Sequence, residues 1–315
     1  MVIVSRSPRV YRRRMMTKTL CLLLAAVLFS QLHASDDVYR DAGAGAYSFL
    51  KIDLGARAAA MGGTGVINGS ALALFTNPAL LSSLDGGCIT AGHNQWLGDA
   101  SQSYLAWSFQ RSGITASLGG RFLSVSGMER RDEATSEPMD TFSALDMSIH
   151  AAAAVRLGMW DLGLTLKFIR EKIWLESSSG LALDAGVVLH PAPWLDLAAA
   201  LQHIGPKVTM TDSEYRLPLT WRIGASSSFD LPVGRAAISG EVRKPLDNRP
   251  SAGAGVEYSP LQWLSIRGGM RFMDDTSDLT AGAGFSTGGW TLDYAFVPAD
   301  YSLGTVHRFT LGRSL

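Results

Sequence analysis

Leu264-Ser265-Ile266-Arg267-Gly268-Gly269-Met270-Arg271-Phe272 sets Leu264, Ile266, Met270 and Phe272 against Ser265, Arg267, Gly269 and Arg271. Trp290, Leu292, Tyr294 and Phe296 likewise alternate with Thr291, Asp293 and Ala295. A β-strand sends successive side chains to opposite faces, so each stretch has one apolar and one polar face. Stretches of this kind recur from Gly87 to the C-terminus. Many such strands, charged on the polar face, suit a closed cylinder that is apolar outside against lipid and wet inside. The predicted fold is all-β: a transmembrane antiparallel β-barrel of about 14 strands, preceded by a small helical or irregular N-terminal plug.

The strand spans predicted from the pattern are 87–94, 102–110, 113–125, 143–157, 160–173, 180–189 and 194–203, then 219–229, 235–243, 251–258, 262–272, 277–286, 289–297 and 305–314. Short turns are expected at Arg111-Ser112, Gly158-Met159, Pro191-Ala192-Pro193, Leu231–Gly234, Ser259-Pro260 and Thr287-Gly288. Longer links alternate with them, at Ser126–Phe142, Ile204–Leu217 and Pro298–Gly304. Tight turns at one end and longer loops at the other are the habit of outer-membrane barrels.

Trp160, Trp194, Trp263 and Trp290 each open a strand directly after a short turn, which stacks them at one height. Indole favours the membrane–water boundary, so these four are predicted to form an interface girdle. The polar faces carry Arg121, Lys167, Asp184, Arg222, Glu241, Arg267, Arg271 and Asp293, which are predicted to face the lumen. Buried unpaired in a sandwich core they would be very costly; inside a barrel they can pair or meet water.

The front of the chain reads as an export signal over residues 1–34. Arg6, Arg9, Arg12, Arg13, Arg14 and Lys18 make a basic start, and Leu20–Phe29 an apolar run. That run is far short of the roughly 20 residues of a membrane-spanning helix. The whole chain carries 28 basic and 28 acidic residues, so loss of those six basic groups leaves a net charge of about −6. A nucleic-acid surface would need a basic excess, and none is expected. Cys21 leaves with the signal and Cys88 remains alone, so no internal disulfide is possible. These features predict a Gram-negative outer-membrane location with the lipid bilayer as partner.

Residues 35–86 are rich in Gly and Ala and are read as the plug, and residues 87–315 as the barrel. Short helices are expected at Ala71–Phe75 and from Asn77-Pro78, where Asn is a good N-cap and Pro suits the first turn. Gly62-Gly63-Thr64-Gly65 lacks the Lys-Ser/Thr of a phosphate-binding loop and is read as flexible packing inside the barrel. Gly284-Phe285-Ser286-Thr287-Gly288 matches a nucleophile-elbow pattern, but it joins two strands rather than a strand to a helix. The histidines show no ligand spacing. No catalytic residue, cofactor or metal is expected.

Ser48-Phe49-Leu50-Lys51-Ile52, Gly55–Gly63, Asn77-Pro78-Ala79, His93-Asn94-Gln95-Trp96-Leu97, Gly163–Lys172, Asp184-Ala185-Gly186 and Leu217-Pro218-Leu219 together resemble the PorV/PorQ family, within the wider FadL-like group of outer-membrane proteins. The resemblance implies a fourteen-stranded barrel with a hatch folded into its periplasmic mouth, and a plug motif of Met61, Gly62, Gly63, Asn77, Pro78 and Ala79. It further implies handling of exported protein cargo with other secretion components in a type IX-like pathway, with the links Ser126–Phe142 and Ile204–Leu217 as binding elements. The alternative it implies is FadL-like passage of hydrophobic small molecules, with Leu80, Leu81 and Leu84 lining a greasy pocket. Asn68-Gly69-Ser70 departs from the family's acidic pair, and Leu315 from its terminal aromatic, the nearest being Phe309.

Overall fold

Alternation in the chain becomes a closed ring of hydrogen-bonded strands. The computed structural model describes residues 43, 45–96, 100–131, 133, 137–210, 213–273, 279–298 and 304–315. The segment read as the export signal lies outside the described residues. The strands are β1 (Cys88–Gln95), β2 (Ala100–Arg111), β3 (Ile114–Arg130), β4 (Asp140–Leu157), β5 (Trp160–Ile173), β6 (Glu176–Ala192) and β7 (Leu195–Ile204). A small hairpin follows, β8 (Val208–Met210) and β9 (Ser213–Tyr215). The ring resumes with β10 (Thr220–Asp230), β11 (Arg235–Pro245), β12 (Ser251–Leu261), β13 (Leu264–Phe272), β14 (Leu279–Thr287), β15 (Trp290–Pro298) and β16 (Thr305–Ser314).

Each ring strand pairs antiparallel with its neighbour, and β1 closes on β16 from Cys88↔Ser314 to Gln95↔His307. The fourteen-stranded barrel predicted from the alternation is therefore what forms, with β8–β9 a separate two-stranded sheet. Apolar side chains cover the outside: Leu118, Ile149, Leu166, Ile223 and Ile266 are each more than half exposed. A soluble protein would not spread such a band over its surface; a bilayer solvates it. Among the described residues no helix is long and apolar enough to cross a membrane.

Two-residue turns close one end of the barrel. Ser112-Gly113 and Gly288-Gly289 have positive φ at both positions, which matches the twist of the flanking strands. The turn expected at Ser259-Pro260 lies instead at Gln262-Trp263, because β12 continues through Pro260. Proline has no N–H to give the ladder, and the β12–β13 register shifts there, between Tyr258 and Leu261. The link predicted at Ser126–Phe142 is strand at both its ends, since β3 and β4 pair out to Arg130↔Asp140. The link after Ile173 is likewise a tight hairpin at Trp174-Leu175. Polar residues hid these extensions: a ribbon reaching beyond the lipid has two wet faces, so its alternation vanishes.

The segment before β1 lies inside the ring. It holds 3-10 turns at Ser48–Lys51, Ala71–Phe75 and Pro78–Ser83, and one α-helix, α1 (Ala56–Ala60). Asn77 caps the last 3-10 turn as its sequence suggests, its side chain accepting from the Ala79 N–H at 3.2 Å. Leu74, Phe75, Ala79 and Leu81 are buried against Ala152 and Ala154 of β4 and Ala198 and Ala200 of β7. Small inward residues on the wall leave the volume these larger side chains fill. The segment does not stop at the short-turn mouth, where the resemblance places a hatch. Ala46 N–H donates to Arg216 C=O at 3.0 Å, and Tyr47 Oη lies 3.0 Å from Ser178 Oγ, both at the long-loop end. The plug therefore runs the length of the lumen.

Candidate functional site

Glycines of the wall set where the plug sits. A Cβ on Gly163 of β5 would lie 2.4 Å from Ala79 N and the Pro78 carbonyl carbon, and one on Gly186 of β6 would lie 2.0 Å from Asn77 Oδ1. Gly163 and Gly186 are cross-strand partners, so they form one window for Asn77-Pro78-Ala79. Opposite, Gly255 and Gly269 pair across β12 and β13, and a Cβ on Gly269 would lie 2.1 Å from Gly62 N. That second window takes Met61-Gly62. Gly62 itself has φ +71, and a Cβ there would meet Ala254 O and Met270 O at 2.5 Å. Within the run Gly62–Gly65, Gly62 thus serves close backbone approach. All six residues of the plug motif are buried.

Charges tie the plug to the wall between these windows. Of the eight charged residues singled out on the polar faces, seven are buried and Asp293 is half-buried, and most fall into three clusters. Lys167 Nζ lies 2.5 Å from Asp184 Oδ2 and 2.9 Å from His203 Nδ1. Arg267 donates to Glu257 and to Asp293, each at 2.6 Å, and Arg57 of the plug donates to Glu257 through Nε and Nη2 at 2.9 and 2.8 Å. Arg222 donates to Glu241 at 2.5 Å, and the other Glu241 oxygen accepts the Val66 N–H of the plug at 2.7 Å. Arg271 lines the lumen beside Gly63. Arg121 makes its hydrogen bonds to neutral groups: it donates to Ile52 C=O at 3.0 Å and to Ser148 Oγ at 3.4 Å, and it packs over the Phe49 ring.

The residue that joins plug and barrel most tightly is Asp53. Its Oδ1 accepts from Arg222 at 2.7 Å, its Oδ2 from Arg243 at 2.8 Å, and its C=O from Arg308 at 2.6 Å. Burial alone would push its carboxyl up, but the Arg222 and Arg243 charges more than offset that and hold it well below the usual carboxylate value. A depressed folded-state value means the stabilisation is present above the unfolded value of about 3.9 and fades only as pH falls through the lower folded one. Acidification to pH 4 should therefore leave the plug seated, and release should come at lower pH. Conductance of the protein in a planar bilayer, followed as pH is lowered, checks this; opening already between pH 6 and 5 would contradict it.

Asp53, Arg57 and Arg308 escape a reading by strand pattern for different reasons. Asp53 and Arg57 lie in the plug, where no periodicity assigns a face. Arg308 was legible: Val306, Arg308 and Thr310 are the buried set of β16, alternating with Phe309 and Leu311 outside.

Two cavities remain around the plug. One of about 310 Å³ opens at the long-loop end, walled in part by Leu50, Asp53, Trp96, Arg121, Asn248 and Arg308. The other, about 180 Å³, lies at the short-turn end beside Ala71, Leu72, Leu84, Cys88 and Ser314. Leu54 and Thr76 line both, so they form the partition between them. Leu80 and Leu81, expected to line a greasy pocket, are instead buried in the packing of plug against wall. Leu84 does line the second cavity. The predicted girdle residues Trp160, Trp263 and Trp290 are about half exposed at the short-turn end, while Trp194 is half-buried there. Among the described residues no cluster of three His, Cys, Asp or Glu side chains could hold a metal.

No protein-family model matches the chain, and no curated protein does. Solved structures do. The toluene transporter TbuX of Ralstonia pickettii is similar at 15% identity, over 83% of this chain and 98% of that one, with a TM-score of 0.59. The toluene transporter TodX of P. putida is 11% identical over 83% of this chain and 98% of its own, with a TM-score of 0.61. CymD, a monoaromatic hydrocarbon channel, is 13% identical over 84% of this chain and 98% of its own, with a TM-score of 0.60. At such identities the shared property is the fold. These neighbours are described as two transporters and a channel. The fold agrees with the FadL-like side of the sequence resemblance, and nothing among these matches supports the PorV/PorQ side. The chain shares the fold of these structures, a closed cylinder of fourteen strands with its N-terminal segment inside.

Proposed function

We propose that this protein is a channel that passes small hydrophobic molecules across the outer membrane. The observation that carries the reading is the pair of cavities, one at each end of the lumen, with Leu54 and Thr76 lining both. A molecule entering from the loop end would reach the second cavity by displacing a small part of the plug, not by unfolding the wall. The toluene transporters and the monoaromatic hydrocarbon channel that share this fold make such a cargo the natural first choice. In this reading the short-turn end faces the periplasm, Trp160, Trp194, Trp263 and Trp290 mark the inner membrane boundary, and residues 35–86 are the plug. The chain is exported by its cleavable leader.

Uptake of labelled toluene into vesicles, with and without the protein, tests the proposal. Leu54→Ala should raise that uptake several-fold, since removing a buried leucine side chain from the partition leaves a void. Equal uptake with and without the protein would refute the channel.

The cargo-handling reading rests on the outer links as docking elements. It is the weaker choice: the link Ser126–Phe142 is paired strand at both ends, which leaves a shorter loop, 131–139, than it assumed. If deleting 131–139 abolished capture of an exported protein while leaving toluene uptake intact, that reading would regain its place.

A further inference from the structure

We propose that the loop-end cavity binds an organic carboxylate with a small aromatic body, held by Arg121 and Arg308. The inference rests on the channel reading for its biological meaning and names the substrate class of that same site.

The charge on the cavity wall is unbalanced. Seven basic side chains line it against a single carboxylate, that of Asp53. Asp53 is already taken by Arg222 and Arg243. Lys51 is held by Asp247 at 2.7 Å, and Arg222 has Glu241 besides. Arg121 and Arg308 are different. Both are buried, at 3% and 1% exposure. Among the described residues both bond only neutral groups: Arg121 the Ile52 C=O and Ser148 Oγ, Arg308 the Asp53 C=O. The buried Nε of Arg308 has no hydrogen-bond partner among the described residues.

A guanidinium withdrawn from water without an anion is costly unless something supplies one. Here the faces of both groups are already covered, Arg121 by Phe49 at 5.1 Å and Arg308 by Trp96 at 4.9 Å. The rings hold the cations in place and direct their remaining N–H edges at whatever enters. A planar carboxylate matches that fork geometry better than a spherical anion does. The rest of the wall includes Leu50, Leu54, Phe75 and Trp96, which suits an apolar ring behind the carboxylate. A volume of about 310 Å³ is at the lower end of the sizes that small ligands occupy, so a one-ring acid fits and a long chain does not lie within it. Neutral aromatic molecules would leave both guanidiniums unpaired.

Purified full-length protein in detergent, titrated with benzoate and with benzyl alcohol while tryptophan fluorescence is followed, tests this. Benzoate should bind at least about tenfold tighter than the neutral alcohol, the scale of one charge-assisted hydrogen bond. Arg121→Gln and Arg308→Gln should each weaken benzoate by about tenfold and leave benzyl alcohol nearly unchanged. Equal affinity for the two probes in the unaltered protein, or benzoate binding unchanged in both variants, overturns the proposal. Should a variant fail to form a barrel, rising sodium chloride on the unaltered protein replaces it: benzoate must weaken and benzyl alcohol must not, and loss of that contrast overturns the proposal. Toluene uptake that fails while benzoate still binds selectively removes the channel reading and leaves this site. Toluene uptake without any preference for benzoate removes this site and leaves the channel.

Discussion

Gly269→Val should open the barrel, and Gly268→Val, one residue away, should not. The two glycines are neighbours on β13 but face opposite ways. A Cβ on Gly269 would stand 2.1 Å from Gly62 N and 2.4 Å from the Met61 carbonyl carbon, whereas one on Gly268 meets nothing within 4 Å. The atoms in the way belong to plug backbone, which cannot swing aside as a side chain can. Overpacking of this kind costs about 1–3 kcal/mol where the structure resists. The plug is the part that can yield, because the wall is a closed hydrogen-bonded ring. Valine is also a good strand residue, so the barrel itself should still form. Single-channel recordings in planar bilayers should show raised conductance for Gly269→Val and the closed behaviour of the parent for Gly268→Val. Migration of the folded barrel on unheated gels controls for assembly. Closed channels in both variants would show that the glycine window does not set the position of the plug.

Asp53→Ala should have an effect of similar or greater size by another route. It strips the carboxylate shared by Arg222 and Arg243 and leaves two buried or half-buried guanidiniums side by side, since Arg222 and Arg243 are cross-strand partners on β10 and β11. Breaking a buried ion pair from one side costs about 3–5 kcal/mol, mostly as the penalty of the charge left behind. Arg222 keeps Glu241, so the lower part of that range is expected for the pair it loses. The plug should loosen near Ile52–Leu54, and hydrogen exchange of those amides should rise while that of β10 and β11 stays low. The double variant Asp53→Ala with Arg243→Met should recover part of the loss, since it removes one of two neighbouring like charges. Exchange at Ile52–Leu54 unchanged by Asp53→Ala would show that Asp53 does not anchor the plug.

The barrel could be read from the chain because a lipid-facing strand has a simple rule. Leu264–Phe272 and Trp290–Phe296 show it, and the strand spans read from it recur in β1 to β16 with mostly small shifts at the ends. The shifts are largest where the environment stops differing between faces. The outer reaches of β3, β4 and β6 are polar on both faces, so Ser126–Arg130 and Glu176–Ser179 carry no alternating signal. Pro260 misplaced a turn because proline ends ladders more often than it sits within a bulge.

The site was less legible. Arg222, Glu241, Arg267 and Asp293 could be placed on the inner face by parity alone, but not paired, since which charges meet depends on the register of the strands and on where the plug lies. Arg222 meets Asp53, which precedes it by 169 residues, and Arg267 meets Asp293 across the intervening β14. The glycine windows are the same case. Gly163 and Gly186 read as ordinary strand glycines until the register of β5 and β6 sets them side by side against Asn77-Pro78-Ala79.

By itself the order of residues determined that the chain closes into a lipid-facing cylinder, because alternation against two solvents acts locally, strand by strand. Where the plug rests, which cations are left without an anion and how the lumen divides into two cavities were decided only by tertiary structure. Those properties belong to groups that meet across the barrel, and no local pattern encodes a distance across a lumen.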